Sequence, residues 1–152
     1  MKLSRNFTLA EMIASDAAAA LGDANRPTAE HLANLRTLAL GMEQVRAILD
    51  NRPVTIGSGY RNAKVNEAVG GVANSAHSLG LAADFKIEGL TAPATARTLA
   101  ASTLVFDQLI LESSRGVCHL SFAPALRREV MTQSGAPGSI LRIGLPKAAR
   151  GD

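Results

Sequence analysis

The sequence predicts an α+β domain in which a small, mostly antiparallel sheet carries helices packed on one face. Three observations lead there. From Thr28 onward Leu32, Leu35, Leu38, Met42, Val45 and Leu49 recur at three- and four-residue intervals, which is one face of a long amphipathic helix. Alternating apolar and polar residues over Ala82 to Ile87, Gln108 to Glu112 and Val117 to Phe122 read as strands, the last two close enough to form a hairpin. Nearly half of the 152 residues are apolar but few are aromatic, so the chain can fill one aliphatic, alanine-rich core.

Each element has its own local reason. Thr8 followed three residues later by Glu11 is a capping box, with Phe7 placed to staple against Met12, so a short helix should start here. A second helical piece is expected from Asp16 to Leu21, stopped by Gly22, and then a loop to Pro27. The long helix follows, with His31 beside its apolar stripe as an ordinary surface histidine. Pro53 to Ile56 reads as a short strand entering Gly57-Ser58-Gly59-Tyr60-Arg61. Asn62 is a cap for a helix in which Val65 and Val69 share a face and which Gly70-Gly71 ends. Val72 to Gly80 is expected to be a loop carrying His77. In the next strand Asp84 and Lys86 point one way and Ala83, Phe85 and Ile87 the other. Thr91 to Ala101 is a further helix with Pro93 in its first turn, where its missing N–H costs least.

A two-residue turn at Arg115-Gly116 would pair Ser114 with Val117 and Glu112 with His119. Gln108, Glu112, His119 and Ser121 then share one sheet face, and Leu109, Leu111, Cys118, Leu120 and Phe122 the other. Cys118 is accordingly read as a buried, inert thiol that cannot readily share a metal with its neighbour His119. After Ala123 the sequence predicts a short helix near Leu126 to Met131, a strand near Ile140 to Ile143 and a loose end. The whole of 1–152 is read as one domain, and a monomer is expected.

Three residues on these elements form a metal-ligand pattern. His77 and Asp84 leave a tight loop and the following strand seven positions apart, and His119 stands on a strand that would hold it rigidly. Two imidazoles and a carboxylate, with a fourth position for water, are the ligand set of a catalytic zinc site.

The stretch SGYRNAKVNEAVGGVANSAHSLGLAAD, containing S-x-H-x-x-G-x-A-x-D and followed by FDQLILE and H-x-S, resembles the M15 family of zinc D-Ala-D-Ala peptidases. It is most similar to the small bacterial and phage peptidoglycan peptidases, over about Phe7 to Phe122, with residues 124–152 as a basic extension. More distant similarity reaches the vancomycin-resistance dipeptidases and the hedgehog zinc domain, whose site need not imply peptidase activity. The resemblance implies Zn²⁺ held by His77, Asp84 and His119, with its bound water, acidified to a pKa of about 7, attacking a peptide carbonyl. The dipeptidase branch has an acid three residues before the last histidine, but that position here is Gly116. Glu112, at the end of the preceding strand, is the candidate general base. Arg61, from SGYR, matches the family arginine that stabilises the oxyanion or a substrate carboxylate. Ser75 and Ser121 are expected to orient ligands by hydrogen bonds. A Ser78-His77-Asp84 triad lacks the strained G-x-S-x-G turn that presents such a serine.

The expected activity is hydrolysis of peptidoglycan peptides, as a D-Ala-D-Ala carboxypeptidase or a wall endopeptidase. The alternative is a non-catalytic, zinc-stabilised module binding wall peptides. The +3 net charge lies in the tail: to Ala123 basic and acidic residues balance at 11 each, and beyond it five basic residues face two acidic. A nucleic-acid partner is not expected, because aromatic residues for base stacking are scarce. Lone Cys118 excludes an internal disulfide and fits either a reducing or an oxidising compartment. No signal-like segment opens the chain and no apolar run approaches the ~20 residues of a membrane span. The expectation is a protein made in the cytoplasm that acts at the cell wall.

Overall fold

In a computed structural model, which describes residues 1–136 and 138–148, two short capped helices open the chain. At the start of α1 (Leu9–Ile13) the Glu11 N–H donates to the Thr8 hydroxyl and the Thr8 N–H donates to the Glu11 carboxylate at 3.0 Å, the complete capping box. Phe7 and Met12 are both buried beside it. α2 (Asp16–Ala20) is capped by Ser15 and stops at Gly22, whose φ of 64° suits glycine. α3 (Ala29–Ile48) is the long helix that the apolar spacing requires, and Leu35, Leu38, Met42 and Val45 on its inner stripe are fully buried. Each such burial is worth about 1.5–3 kcal/mol, so this stripe anchors the helical layer.

The sheet has six strands: β1 (Val54–Ser58), β2 (Ala82–Ile87), β3 (Gln108–Glu112), β4 (Val117–Ser121), β5 (Glu129–Gln133) and β6 (Arg142–Ile143), in the spatial order β1-β2-β4-β3-β5-β6. Between β1 and β2 lie α4 (Ala63–Ala68), capped by Asn62, and the single-turn α5 (Ala76–Leu79). α6 (Ala92–Ala101) follows β2, capped by Thr91. The helices lie on one side, where Leu109, Leu111, Cys118 and Leu120 join the core with Leu35, Leu38 and Leu99.

The sheet is mixed, which corrects the expectation of a mostly antiparallel one. β3 pairs with β5 in parallel, Leu109 opposite Val130, because the chain leaving β4 passes over β3 to reach its far edge. That crossing also removes the helix expected near Leu126 to Met131. Leu126 and Arg128 have φ of 45° and 54°, incompatible with a right-handed helix. Arg128 donates to the carbonyls of Ala100, Ser102 and Leu104 and lies over the Phe106 ring at 4.8 Å, so it closes the end of α6 while β5 begins. A strand, β5, thus stands where a helix was expected, and the strand expected from Ile140 to Ile143 shrinks to Arg142–Ile143. Residues 137 and 149–152 of the basic extension lie outside the described residues.

Three smaller expectations change. The β3–β4 loop has four residues, Ser113 to Gly116, so Glu112 pairs with Val117 and Ile110 with His119. The error is two residues, which keeps every side chain on its face. His31 is half-buried, with Nδ1 3.0 Å from the Tyr60 hydroxyl, and so is not a plain surface histidine. Val65 is buried but Val69 is exposed, because α4 ends before a second turn meets the core. Among the described residues, no helix is long and apolar enough to cross a membrane.

Candidate metal centre

Strand pairing sets the first part of the site. Asp84, in the interior of β2, lies opposite Ser58 on one neighbour and His119 of β4 on the other, so two of the three candidate ligands are held by backbone ladders. The third comes from α5 instead of the expected loop. Ser75 caps that helix by accepting from the Ser78 N–H, and Gly80 ends it with φ 79°. Gly80 also packs closely: a Cβ there would lie 2.8 Å from the His31 carbonyl oxygen. One rigid turn between these two stops presents His77 to the strand beneath.

The three side chains converge on one point, their ligand atoms all lying within 4.8 Å of one another. Asp84 Oδ1 is 3.1 Å from His77 Nε2 and 2.9 Å from His119 Nδ1. The two imidazole rings meet edge to face, 5.0 Å between centroids. Ligands about 2.0–2.2 Å from a tetrahedral zinc stand about 3.4 Å apart, which these separations bracket.

Protonation makes the fit more specific. His77 Nδ1 is 2.8 Å from the Gly59 carbonyl oxygen, which can only accept, so Nδ1 carries the proton. Burial lowers the pKa of His77 against the opposing effect of Asp84 and favours the neutral ring. Nε2 then turns a lone pair toward a carboxylate oxygen. Burial raises the pKa of Asp84, but the neighbouring His119 and His77 outweigh it and hold the group well below the usual carboxylate range. A neutral nitrogen and an anionic oxygen facing each other at 3.1 Å are reconciled by a cation between them. The donor set, two nitrogens and one oxygen, fits Zn²⁺.

Charged groups surround this point. Glu112, on the same sheet face, is half-buried, and its pKa is raised by burial and by the negative charge of Asp84, with Arg115 and His119 opposing. Arg115 Nη1 lies 2.8 Å from Glu112 Oε2 and 3.5 Å from Asp84 Oδ2, bridging the two carboxylates. The Arg61 N–H donates to the His77 carbonyl at 3.1 Å. Its Nε is buried without a hydrogen-bond partner among the described residues. Burial lowers the pKa of that guanidinium, Asp84 and Glu112 raise it and Arg115 lowers it further, so all four charges act on one another.

The other expected residues divide. Ser121 is buried at the end of β4 on the His119 side, opposite Ala82 and Gln108. Ser75 acts on His77 only through the helix that it caps, because its hydroxyl donates to Asn66 Oδ1 at 3.2 Å. The Ser78 hydroxyl donates to the Ser75 carbonyl at 2.7 Å and so does not serve His77 as a triad serine. Gln108 is drawn away from the site by β5, where its Nε2 donates to Glu129 Oε1 at 2.7 Å. Cys118 faces the core as expected; burial pushes its thiol up to about 12, and Sγ lies 3.3 Å from the Ala92 carbonyl.

Sequence reasoning missed three residues that build the site. Gly59 supplies the carbonyl that fixes the His77 tautomer; its place in SGYR was the available signal. Arg115 was read only as a turn residue. Asn25, buried with φ 50°, donates to the Ile13 and Tyr60 carbonyls at 2.8 Å and accepts from the Asn62 N–H at 2.9 Å, pinning the segment that carries Gly59 and Arg61. No local pattern announces it.

Gly59 also gives a test. A Cβ at this position would collide with the Met12 backbone carbonyl, which itself accepts from the Tyr60 N–H. Gly59→Ala is expected to lower stability by about 1–3 kcal/mol, the usual scale of overpacking, and to weaken zinc binding by moving the His77 acceptor. Thermal melts paired with zinc titration read both effects, and an unchanged zinc affinity would detach Gly59 from the site.

The sequence profile described as Peptidase M15 matches residues 5–121, from the chain before α1 to the end of β4, and takes in all three converging side chains. No curated protein matches the chain. M15 peptidases are zinc enzymes, in agreement with a cluster whose geometry and tautomer suit that ion. On a match of this extent, the chain belongs to the Peptidase M15 family of metallopeptidases.

Proposed function

We propose that the protein is a zinc-dependent hydrolase of peptide bonds in bacterial peptidoglycan, acting as a D-Ala-D-Ala carboxypeptidase or as an endopeptidase within the wall. The observation that carries the reading is the convergence of His77, Asp84 and His119 beside a half-buried carboxylate and two guanidiniums. In this reading the three side chains hold Zn²⁺, which when bound supplies a Lewis acid that activates water and polarises a carbonyl. Glu112 takes the proton of the attacking water and passes it to the leaving amine. Arg61 offers its guanidinium to the developing oxyanion, where a preorganised cation acts in a partly dehydrated site. Ser121 lines the same wall of the site and contributes to its shape.

Digestion of purified peptidoglycan by the zinc-loaded protein, followed by mass spectrometry, tests this. New amino or carboxyl ends at a defined peptide bond are the expected result and identify the bond. Zinc binding without any cleavage would instead favour a wall-binding module. Arg61→Lys refines the test: the ammonium keeps the charge and loses the fork, so kcat/KM is expected to fall about tenfold or more while zinc content and fold persist. Parent-level hydrolysis by this variant would remove Arg61 from the chemistry.

A further inference from the structure

Strand register carries the metal face well beyond the cluster. Residues opposite one another on paired strands share a face, and one row runs from Asp84 through His119, Ile110 and Met131 to Ile143 at the sheet edge. Leu109 and Val130, one position away, turn to the helical core, so Ile110 and Met131 turn to the side of His119. Ile110 and Met131 are half-buried and Ile143 is 93% exposed. Past His119 the row is therefore apolar and open at its far end. A lone exposed isoleucine is ordinary, but this one continues a row that starts at the metal cluster.

Polar residues border the strip on both sides. Gln108 and Glu129 lie opposite each other two positions before Ile110 and Met131, joined by the 2.7 Å hydrogen bond that draws Gln108 from the metal. Glu112 and Gln133 lie two positions after them, where Gln133 donates to the Ser139 carbonyl at 2.9 Å and Glu112 meets Arg115. With strands about 4.8 Å apart, the strip reaches about 14 Å from His119 to Ile143, the length of about four extended residues. Its outer half, Met131 and Ile143, stands on β5 and β6, beyond residue 121 where the family match ends. That half belongs to this chain's extension and not to the matched part of the site.

We propose that Ile110, Met131 and Ile143 form a shelf that selects the peptide substrate by an apolar side chain about three or four residues from the scissile bond. This rests on the hydrolase reading above and deepens it. A peptide held with its scissile carbonyl at the cluster must leave the site across the protein surface, and the shelf is continuous with His119. Extended along it, the third residue from the bond reaches Met131 and the fourth Ile143. An aliphatic side chain there takes apolar surface of both partners out of water, whereas a polar one loses hydration that the floor does not replace. Met131 suits the role because its unbranched thioether adapts to side chains of different shape. The shelf selects the substrate and takes no part in bond breaking.

The test uses the zinc-loaded protein and six-residue peptides with D-alanyl-D-alanine at one end or the other, so that the chain leaves that bond in either direction. Leucine or serine stands at the second, third or fourth residue from the bond, with alanine elsewhere. Values of kcat/KM for cleaved peptides, and dissociation constants by calorimetry for uncleaved ones, are measured for the parent, Ile143→Ser, Met131→Gln, Ile143→Leu and Met131→Leu. Zinc content and thermal melts are checked for each; Ile143 is nearly fully exposed, so replacing it leaves the packing intact. The parent is expected to favour leucine over serine by about fivefold or more at the third or fourth residue of one series, the scale of burying a few methylene groups on an open surface. A preference at the third residue should fall to near unity in Met131→Gln, and one at the fourth in Ile143→Ser. Both leucine variants should keep it, as volume-conserving apolar exchanges do. The series that responds gives the direction in which the substrate leaves the metal. No preference in the parent, one confined to the second residue, or one unchanged in both polar variants overturns the shelf. If leucine peptides bind through Met131 or Ile143 and none is cleaved, the shelf stands and the hydrolase reading falls. Cleavage with a preference indifferent to both polar variants overturns the shelf and leaves the hydrolase reading standing.

Discussion

Asp84→Ala is expected to take the protein from about one zinc per chain to almost none and to abolish hydrolysis. Oδ1 of this residue is the atom that both histidines approach, at 3.1 and 2.9 Å, so its removal deletes a ligand and the charge that balances the ion. The fold should survive, because the β2–β4 ladder on which Asp84 sits is made by backbone groups. His77→Ala and His119→Ala should lose most of the metal for the same reason. The effect has a thermodynamic readout independent of turnover. A ligand that binds only the folded state stabilises it by about 2.7 kcal/mol at a hundredfold excess over its Kd, so zinc should raise the Tm of the parent but not of these variants. Full zinc occupancy in any two of the three would refute the ligand assignment.

Glu112→Gln is expected to keep the zinc and the melting temperature close to those of the parent and to reduce kcat about a hundredfold or more, the usual scale for a general base. The motivation is position and environment. Glu112 shares the sheet face of His119, and its carboxylate lies close enough to Asp84 and His119 for their charges to act on it. Burial and Asp84 raise its pKa, which strengthens it as a base, while the 2.8 Å contact with Arg115 restrains the rise and fixes the side chain. Gln has the same shape and cannot take a proton. A variant that digests peptidoglycan at the parent rate would show that Glu112 only anchors Arg115.

What was legible in the sequence was legible because it is local. Caps at Thr8 and Asn62 act within three residues, and a period of 3.6 or 2 is fixed by backbone geometry wherever the segment lies. That is why Glu112, His119 and Ser121 reached the predicted face although the hairpin register was wrong by two residues. The same parity put Cys118 in the core and left Asp84 on the opposite side.

The sequence by itself thus determined the capped α1 and the long helix α3, the faces of the central strands and the identities of the converging His77, Asp84 and His119. Only the tertiary structure decided the rest: the parallel pairing of β5 with β3, the carbonyl of Gly59 that sets which nitrogen of His77 is free, the withdrawal of Gln108 toward Glu129, and the bridge that Arg115 makes between Glu112 and Asp84. Each of these joins groups at least 18 positions apart, apart from the Arg115–Glu112 contact within one loop. Periodicity carries no information about such meetings. They follow from which polar atoms find partners once the sheet has closed and water has left.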